Sequence, residues 1–215
     1  MKLTEHHGKI SGAVLYDLTG GRNTLIIGPP QSGKTRVLSA LARVTAERAD
    51  VAERWLLGAT RSEISPEIYK DMRRTIFDDP RPYLGELRGA MRERQYERPD
   101  GPKLVVLWDN LSIFQYPEEL DKVARLSGRY TTQVIAVINS GIETSTILSK
   151  TSQFFPVRIV MAPHRIRRSH MERHLDWYGL NGVEAPTPCD YPDVPGFALL
   201  SADPAAKPLG YAIDE

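Results

Sequence analysis

The sequence predicts an α/β protein with a mostly parallel central sheet and helices on both of its faces. Three observations carry that expectation. Short apolar runs alternate along the chain with segments of helical spacing, the order in which parallel strands are joined by crossover helices. The runs LVVLW (104–108) and VIAVI (134–138) are apolar without interruption, which suits central strands covered on both faces. Between a strand and a helix lies GPPQSGKT (28–35), a glycine-rich turn that fits G-x-x-x-x-G-K-[ST] at every fixed position. The crossovers are expected to be right-handed.

Taken in order, residues 1–12 read as a flexible lead-in. AVLYD (13–17) reads as a short strand, with LTGGRN (18–23) as the turn behind it. Residues 24–27 form a buried strand. The stretch 35–48 places Val37, Leu38, Leu41, Ala42 and Val44 on one helical face. A strand is expected at 55–57 and a helix over 65–77, ended by DPRP (79–82). The stretch 83–96 alternates Arg and Glu, as an exposed helix with internal ion pairs does. A helix over 117–128 starts with Pro117 and carries Glu118 and Glu119 in its first turn. Strands follow at 133–138 and 158–161. The Pro-rich end from 182 holds two short apolar runs, 197–200 and 211–213, expected to pair as a closing hairpin.

The chain has 215 residues, enough for one sizeable α/β domain, and a single domain over 1–215 is expected. Its net charge of +1 excludes a generally basic nucleic-acid binder, so any DNA contact must come from a local patch. Cys189 is the only cysteine. It allows no internal disulfide, suits a reducing cytoplasm and reads as a free structural thiol. The first residues lack the apolar stretch of a signal peptide. No apolar run approaches the roughly 18–20 residues of a membrane span, so a cytoplasmic location without an intrinsic membrane segment is expected.

The phosphate loop carries the chemistry. Gly28 and Gly33 let the backbone aim N–H groups at phosphate oxygens. Pro29, Pro30, Gln31 and Ser32 complete the loop, and the helix N-terminus adds partial positive charge next to Arg36. Lys34 is expected to reach the β- and γ-phosphates of ATP, and the Thr35 hydroxyl to bind Mg²⁺. A second acidic group belongs at the end of a neighbouring strand. Asp109, closing LVVLWD, is that residue, expected to hold Mg²⁺ through water. The next residue is Asn110. An amide accepts no proton at neutral pH, and losing a general base costs roughly 10²–10⁴ in rate.

These motifs together resemble the FtsK/SpoIIIE branch of the FtsK–HerA P-loop ATPases. The resemblance runs from about residue 13 to residue 213. LIIGPPQSGKT is similar to the family's strand and phosphate loop. ELRGAMRERQYERPDGPKLVVLWDNL is similar to its charged helix and Asp-Glu strand. VARLSGRYTTQVIAVINS, FFPVRIVM and PGFALLSADPAAKPLGYAI resemble its later helix, strands and closing hairpin. The last also resembles the ATPase modules of EccC-type secretion motors.

The resemblance implies a RecA-like core, ATP with Mg²⁺ and a homo-oligomeric, hexameric ring. It also implies translocation of double-stranded DNA or, in the secretion branch, of protein. Asn110 stands where the family usually has Glu, and Asn139-Ser140 where it typically has Thr-Gln. Either Asn139 or Ser140 is then the donor expected to sense the γ-phosphate. Arg158 and Arg129 match family arginines and are the candidates for an arginine finger, Arg158 ranking first for its place on a strand. The bare module implies a membrane-anchored or catalytic partner subunit.

The dense basic run HRIRRSHMERH (164–174) has two readings: a patch on DNA phosphates or a solvated helix face. His170 and His174 have the spacing of a metal pair, but no ligand set accompanies them. Two functions stay open. One is a ring-forming, DNA-translocating ATPase. The other is a nucleotide-gated assembly or regulatory module with little turnover, motivated by Asn110.

Overall fold

The computed structural model describes residues 6–10, 12–28, 30, 32–59, 64–77, 79–97, 103–109, 122, 123, 125, 127, 131–139, 154–161, 197–201 and 209–213. Within them lie nine strands: β1 (His6–Ile10), β2 (Thr24–Gly28), β3 (Val51–Ala59), β4 (Arg74–Phe77), β5 (Lys103–Trp108), β6 (Thr132–Asn139), β7 (Val157–Met161), β8 (Phe197–Ser201) and β9 (Leu209–Ile213). The helices are α1 (Gly12–Thr19), α2 (Lys34–Glu47), α3 (Pro66–Tyr69) and α4 (Leu84–Glu97), with a 3₁₀ turn at Arg81–Tyr83 before α4. Lys122, Val123, Arg125 and Ser127 are also helical, within the helix expected at 117–128.

The strands form one sheet in the order β1-β9-β8-β7-β2-β6-β5-β3-β4. From β7 to β4 all six are parallel. The hairpin β8–β9 joins antiparallel to β7, as the two apolar runs near the end of the chain predict. The central strands are buried on both faces because a core lies on each. One face packs Leu25, Ile27, Trp55, Val106 and Trp108 against Leu87 and Met91 of α4 and against Val123. The other packs Ile26, Leu56, Leu107 and Val137 against Leu15 and Tyr16 of α1 and Leu38 and Leu41 of α2. Uninterrupted apolarity in β5 and β6 is what two covered faces require. The α/β, RecA-like core expected from the sequence is borne out.

Two expectations are corrected. Residues 13–17 are not a strand but the body of α1. Leu15, Tyr16 and Thr19 are buried while Val14 is exposed, the spacing of a helical face. Tyr16 Oη donates to Gln133 Oε1 on β6 at 3.0 Å, and Gln133 Nε2 donates to the Arg22 carbonyl at 2.8 Å. These bonds tie α1 to the sheet and satisfy a fully buried amide.

The helix expected over 65–77 is only the single turn α3 followed by β4. The Arg73 amide donates to the Arg54 carbonyl at 3.0 Å, and β4 then pairs along β3, so sheet pairing overrides the local spacing. Within the lead-in, His6–Ile10 form β1, which pairs parallel with β9. The strand expected at 55–57 is longer, β3 running from Val51 to Ala59.

Candidate functional site

The phosphate loop leaves β2 at Gly28 and enters α2 at Lys34. Gly33 caps the helix in the left-handed conformation, φ 89° and ψ 11°, and as glycine supplies no side-chain cap. Glycine takes that conformation without steric cost. The first-turn N–H groups have no intrahelical acceptor, so their positive ends face the loop. Gly28 is needed for a different reason. A Cβ there would lie 2.5 Å from Ser32 Oγ, 2.8 Å from Met161 Cβ and 3.2 Å from the Met161 carbonyl oxygen. The loop therefore folds back onto the end of β2 and against β7.

Two polar side chains of this loop, Ser32 and Lys34, are withdrawn from solvent. Lys34 is only 6% exposed. Ser32 Oγ is buried and meets no hydrogen-bonding partner among the described residues. Thr35 is half-buried, Arg36 exposed and Pro30 exposed. Pro29 and Gln31 lie outside the described residues.

Asp109 follows β5 directly and is 2% exposed. Its amide donates to the Leu57 carbonyl of β3 at 3.0 Å, extending the β3–β5 ladder by one step. Register places Gly28 opposite Asn139 on β6 and Trp108 opposite Ala136. The phosphate loop and Asp109 thus both stand at the carboxyl ends of parallel strands, with β6 between them. Ligands of open α/β sheets bind at such carboxyl ends.

The residues present fit a nucleoside triphosphate with Mg²⁺. The glycine cradle, the helix N-terminus and the buried Ser32 hydroxyl suit phosphate oxygens. The buried Lys34 and Asp109 are charges of the kind that persist inside a protein only when paired or metal-bound. Among the described residues no group of three or more His, Cys, Asp or Glu could hold a metal ion. A divalent ion here would therefore rely on Thr35, Asp109 and the phosphates themselves, the usual manner of Mg²⁺.

Arg158 sits on β7 opposite Leu25 of β2 and Ser201 of β8. That is three residues short of Gly28, about 10 Å back along the strand. It is half-buried, and burial pushes its guanidinium below the ordinary arginine value. It does not stand level with its own chain's phosphate loop. Asn139 closes β6 beside Gly28 and is exposed. Asn110, Arg129, Ser140, the basic run 164–174 and Cys189 lie outside the described residues.

Two positions were not foreseen from the sequence. Gly58 on β3 has φ +71°, and its α-carbon faces the Asp109 carbonyl. A lone glycine inside an apolar strand is a bulge signal that a three-residue strand at 55–57 left out. Glu53, near the start of β3, is buried with Arg94, Arg73 and Trp55 as partners. No local signal links residues 41 positions apart.

No family model and no curated protein matches the sequence. Solved structures share the fold. The monomer form of the pCW3 conjugation coupling protein TcpA with ATPγS matches over 91% of this chain and 61% of its own, at 15% identity and TM-score 0.61. The cytoplasmic domain of the Thermomonospora curvata type VII secretion ATPase EccC matches over 92% of this chain and 24% of its own, at 14% identity and TM-score 0.61. B204, the DNA-packaging ATPase of Sulfolobus turreted icosahedral virus, matches over 91% of this chain and 98% of its own, at 10% identity and TM-score 0.61. The chain thus spans a little under two thirds of TcpA and about a quarter of the EccC domain. Two of these neighbours are ATPases, of secretion and of DNA packaging, and the third is a coupling protein solved with ATPγS, so the fold expected from the resemblance is borne out.

Proposed function

We propose that the chain binds ATP with Mg²⁺ in the loop 28–35 and acts as a motor of the FtsK–HerA type on double-stranded DNA, working as a homo-oligomeric, hexameric ring in the cytoplasm. One observation carries the reading: a left-handed Gly33 at the helix N-terminus, with Lys34 buried at its first position. The roles follow from this chain's own groups. Backbone N–H groups from Gly28 to Thr35 orient the phosphates. Lys34 offsets the charge that grows on the β–γ bridge as it breaks. Thr35 and Asp109 would hold Mg²⁺, which when bound neutralises the phosphate oxygens. Arg158 or Arg129, offered by a neighbouring subunit, would complete the site, and Asn139 or Ser140 would donate to the γ-phosphate.

A second reading is favoured by one residue. Asn110 follows Asp109 where a motor of this type usually has Glu. The chain would then be a gated assembly or regulatory module, in which ATP stabilises an interface by linkage and a membrane-anchored or catalytic partner supplies turnover. Among the described residues no helix is long and apolar enough to cross a membrane.

The deciding experiment is steady-state ATP hydrolysis with and without long double-stranded DNA, with Lys34→Ala as the blank. Turnover that rises several-fold with DNA and vanishes in the blank supports the motor. ATP binding without turnover in either condition supports the gated module.

A further inference from the structure

On the reading that Asp109 serves the Mg²⁺ of a bound nucleotide, we propose that Gly58 is a positioning residue for it. The bulge at Gly58 on β3 sets the place of Asp109 at the end of β5 by allowing the two backbones to touch.

The geometry is specific. From Glu53 opposite Leu104, the partners of β3 and β5 run in step up to Leu57 opposite Trp108. One step further, the Asp109 amide donates to the Leu57 carbonyl at 3.0 Å. At that step β3 departs from regular geometry. Gly58 takes φ +71°, and the β3–β4 register slips between Leu57 and Ala59. A Cβ at position 58 would lie 3.0 Å from the Asp109 carbonyl oxygen, 3.5 Å from Trp108 Nε1 and 3.6 Å from Trp108 Cδ1. The closest of these is backbone, and Trp108 is buried in the core. Any side chain at 58 must therefore push the β5 end outward by a few tenths of an ångström.

A bulge beside a site commonly re-aims one side chain, and here that side chain is the Asp109 carboxylate. Mg²⁺ holds near-ideal octahedral geometry at about 2.0–2.1 Å and tolerates displaced ligands poorly, whereas Ca²⁺ accepts longer, irregular bonds at about 2.3–2.6 Å. A small displacement of Asp109 should therefore register first in Mg²⁺ dependence. The phosphate loop, two strands away across β6, has no part in it.

The test is titration of the full chain with a fluorescent, non-hydrolysable ATP analogue in Mg²⁺, in Ca²⁺ and in EDTA. Four proteins are compared: wild type, Gly58→Ala, Gly58→Asn and Asp109→Ala. Thermal midpoints are recorded alongside. Asn tolerates the left-handed conformation that Ala resists but still carries the Cβ, so it separates backbone strain from contact with Asp109. Both Gly58 variants should weaken Mg²⁺-dependent binding by about 10–100-fold. They should weaken it less in Ca²⁺ and leave it unchanged in EDTA, and Gly58→Asn should do so while melting nearer to wild type.

Equal losses in Mg²⁺ and EDTA would mean a general loss of structure and overturn the proposal. So would wild-type Mg²⁺ binding by the Gly58 variants alongside a defective Asp109→Ala. A wild type that binds no analogue, or an Asp109→Ala that keeps its Mg²⁺ dependence, would sink the underlying reading and this inference with it.

Discussion

Replacing Glu53 by Gln should destabilise the protein by about 3 kcal/mol at neutral pH, and the deficit should shrink in acid. The Glu53 side chain is 7% exposed and its partner Arg94 11%. Oε1 accepts the Trp55 indole N–H at 2.6 Å. Oε2 accepts Arg94 Nη2 at 2.7 Å and Arg73 Nη1 at 3.3 Å. Gln keeps one acceptor for Trp55 but turns an NH₂ group towards two guanidinium donors. The nearly buried Arg94 then loses its carboxylate, and breaking one side of a buried pair costs about 3–5 kcal/mol. Arg73 is largely exposed and adds little, which places the expectation at the lower end.

Burial works against the Glu53 charge, but the Trp55 N–H, the Arg94 hydrogen bond and the Arg73 charge outweigh it, and the carboxyl titrates below its ordinary value. A depressed carboxyl stabilises the folded state above the unfolded-state value of about 4.3 and loses that contribution as pH falls through the folded value. Urea unfolding followed by tryptophan fluorescence, at neutral pH and near pH 3, reads both effects. A wild-type advantage below about 1 kcal/mol at neutral pH, the level of an exposed pair, would refute the burial argument. An advantage that does not change with pH would refute the assignment of the charge.

Other outcomes follow from the same structure. Gly28→Ala should cost about 1–3 kcal/mol in overpacking and weaken nucleotide binding, since its Cβ meets Ser32 and Met161; a melt and a binding titration check both. Tyr16→Phe leaves the buried Gln133 Oε1 without its donor and should cost about 1–3 kcal/mol by denaturant melt. Gly89 lies inside α4 with nothing within 4 Å of a would-be Cβ. Gly89→Ala should therefore stabilise the protein by about 0.5–1 kcal/mol, and a lower melting temperature would count against that. Asn110→Glu should raise ATP turnover if the site lacks only a base, and unchanged turnover in a variant that still binds ATP would favour the gated module.

What the amino-acid sequence determined alone is what short-range chemistry controls. The phosphate loop was legible because its glycines, lysine and threonine act within eight consecutive residues. The strands β5 and β6 were legible because full burial leaves an unbroken apolar run. The helix α2 followed from apolar spacing on one face, and α4 from its alternating Arg and Glu. The tertiary structure decided the rest, for reasons that cross the sheet. AVLYD is too short for its apolarity to choose between helix and strand, and α1 is held by a tyrosine bonded to a glutamine 117 positions away. Ile64, Ile68 and Met72 recur at helical intervals, yet Ile76 belongs to β4 because the edge of β3 offers backbone partners that a lone helix end does not. The packing of Gly58 against Asp109 and the pairing of Glu53 with Arg94 exist only once β3, β5 and α4 are side by side. Contacts between strands have no period along the chain, so folding alone brings those residues together.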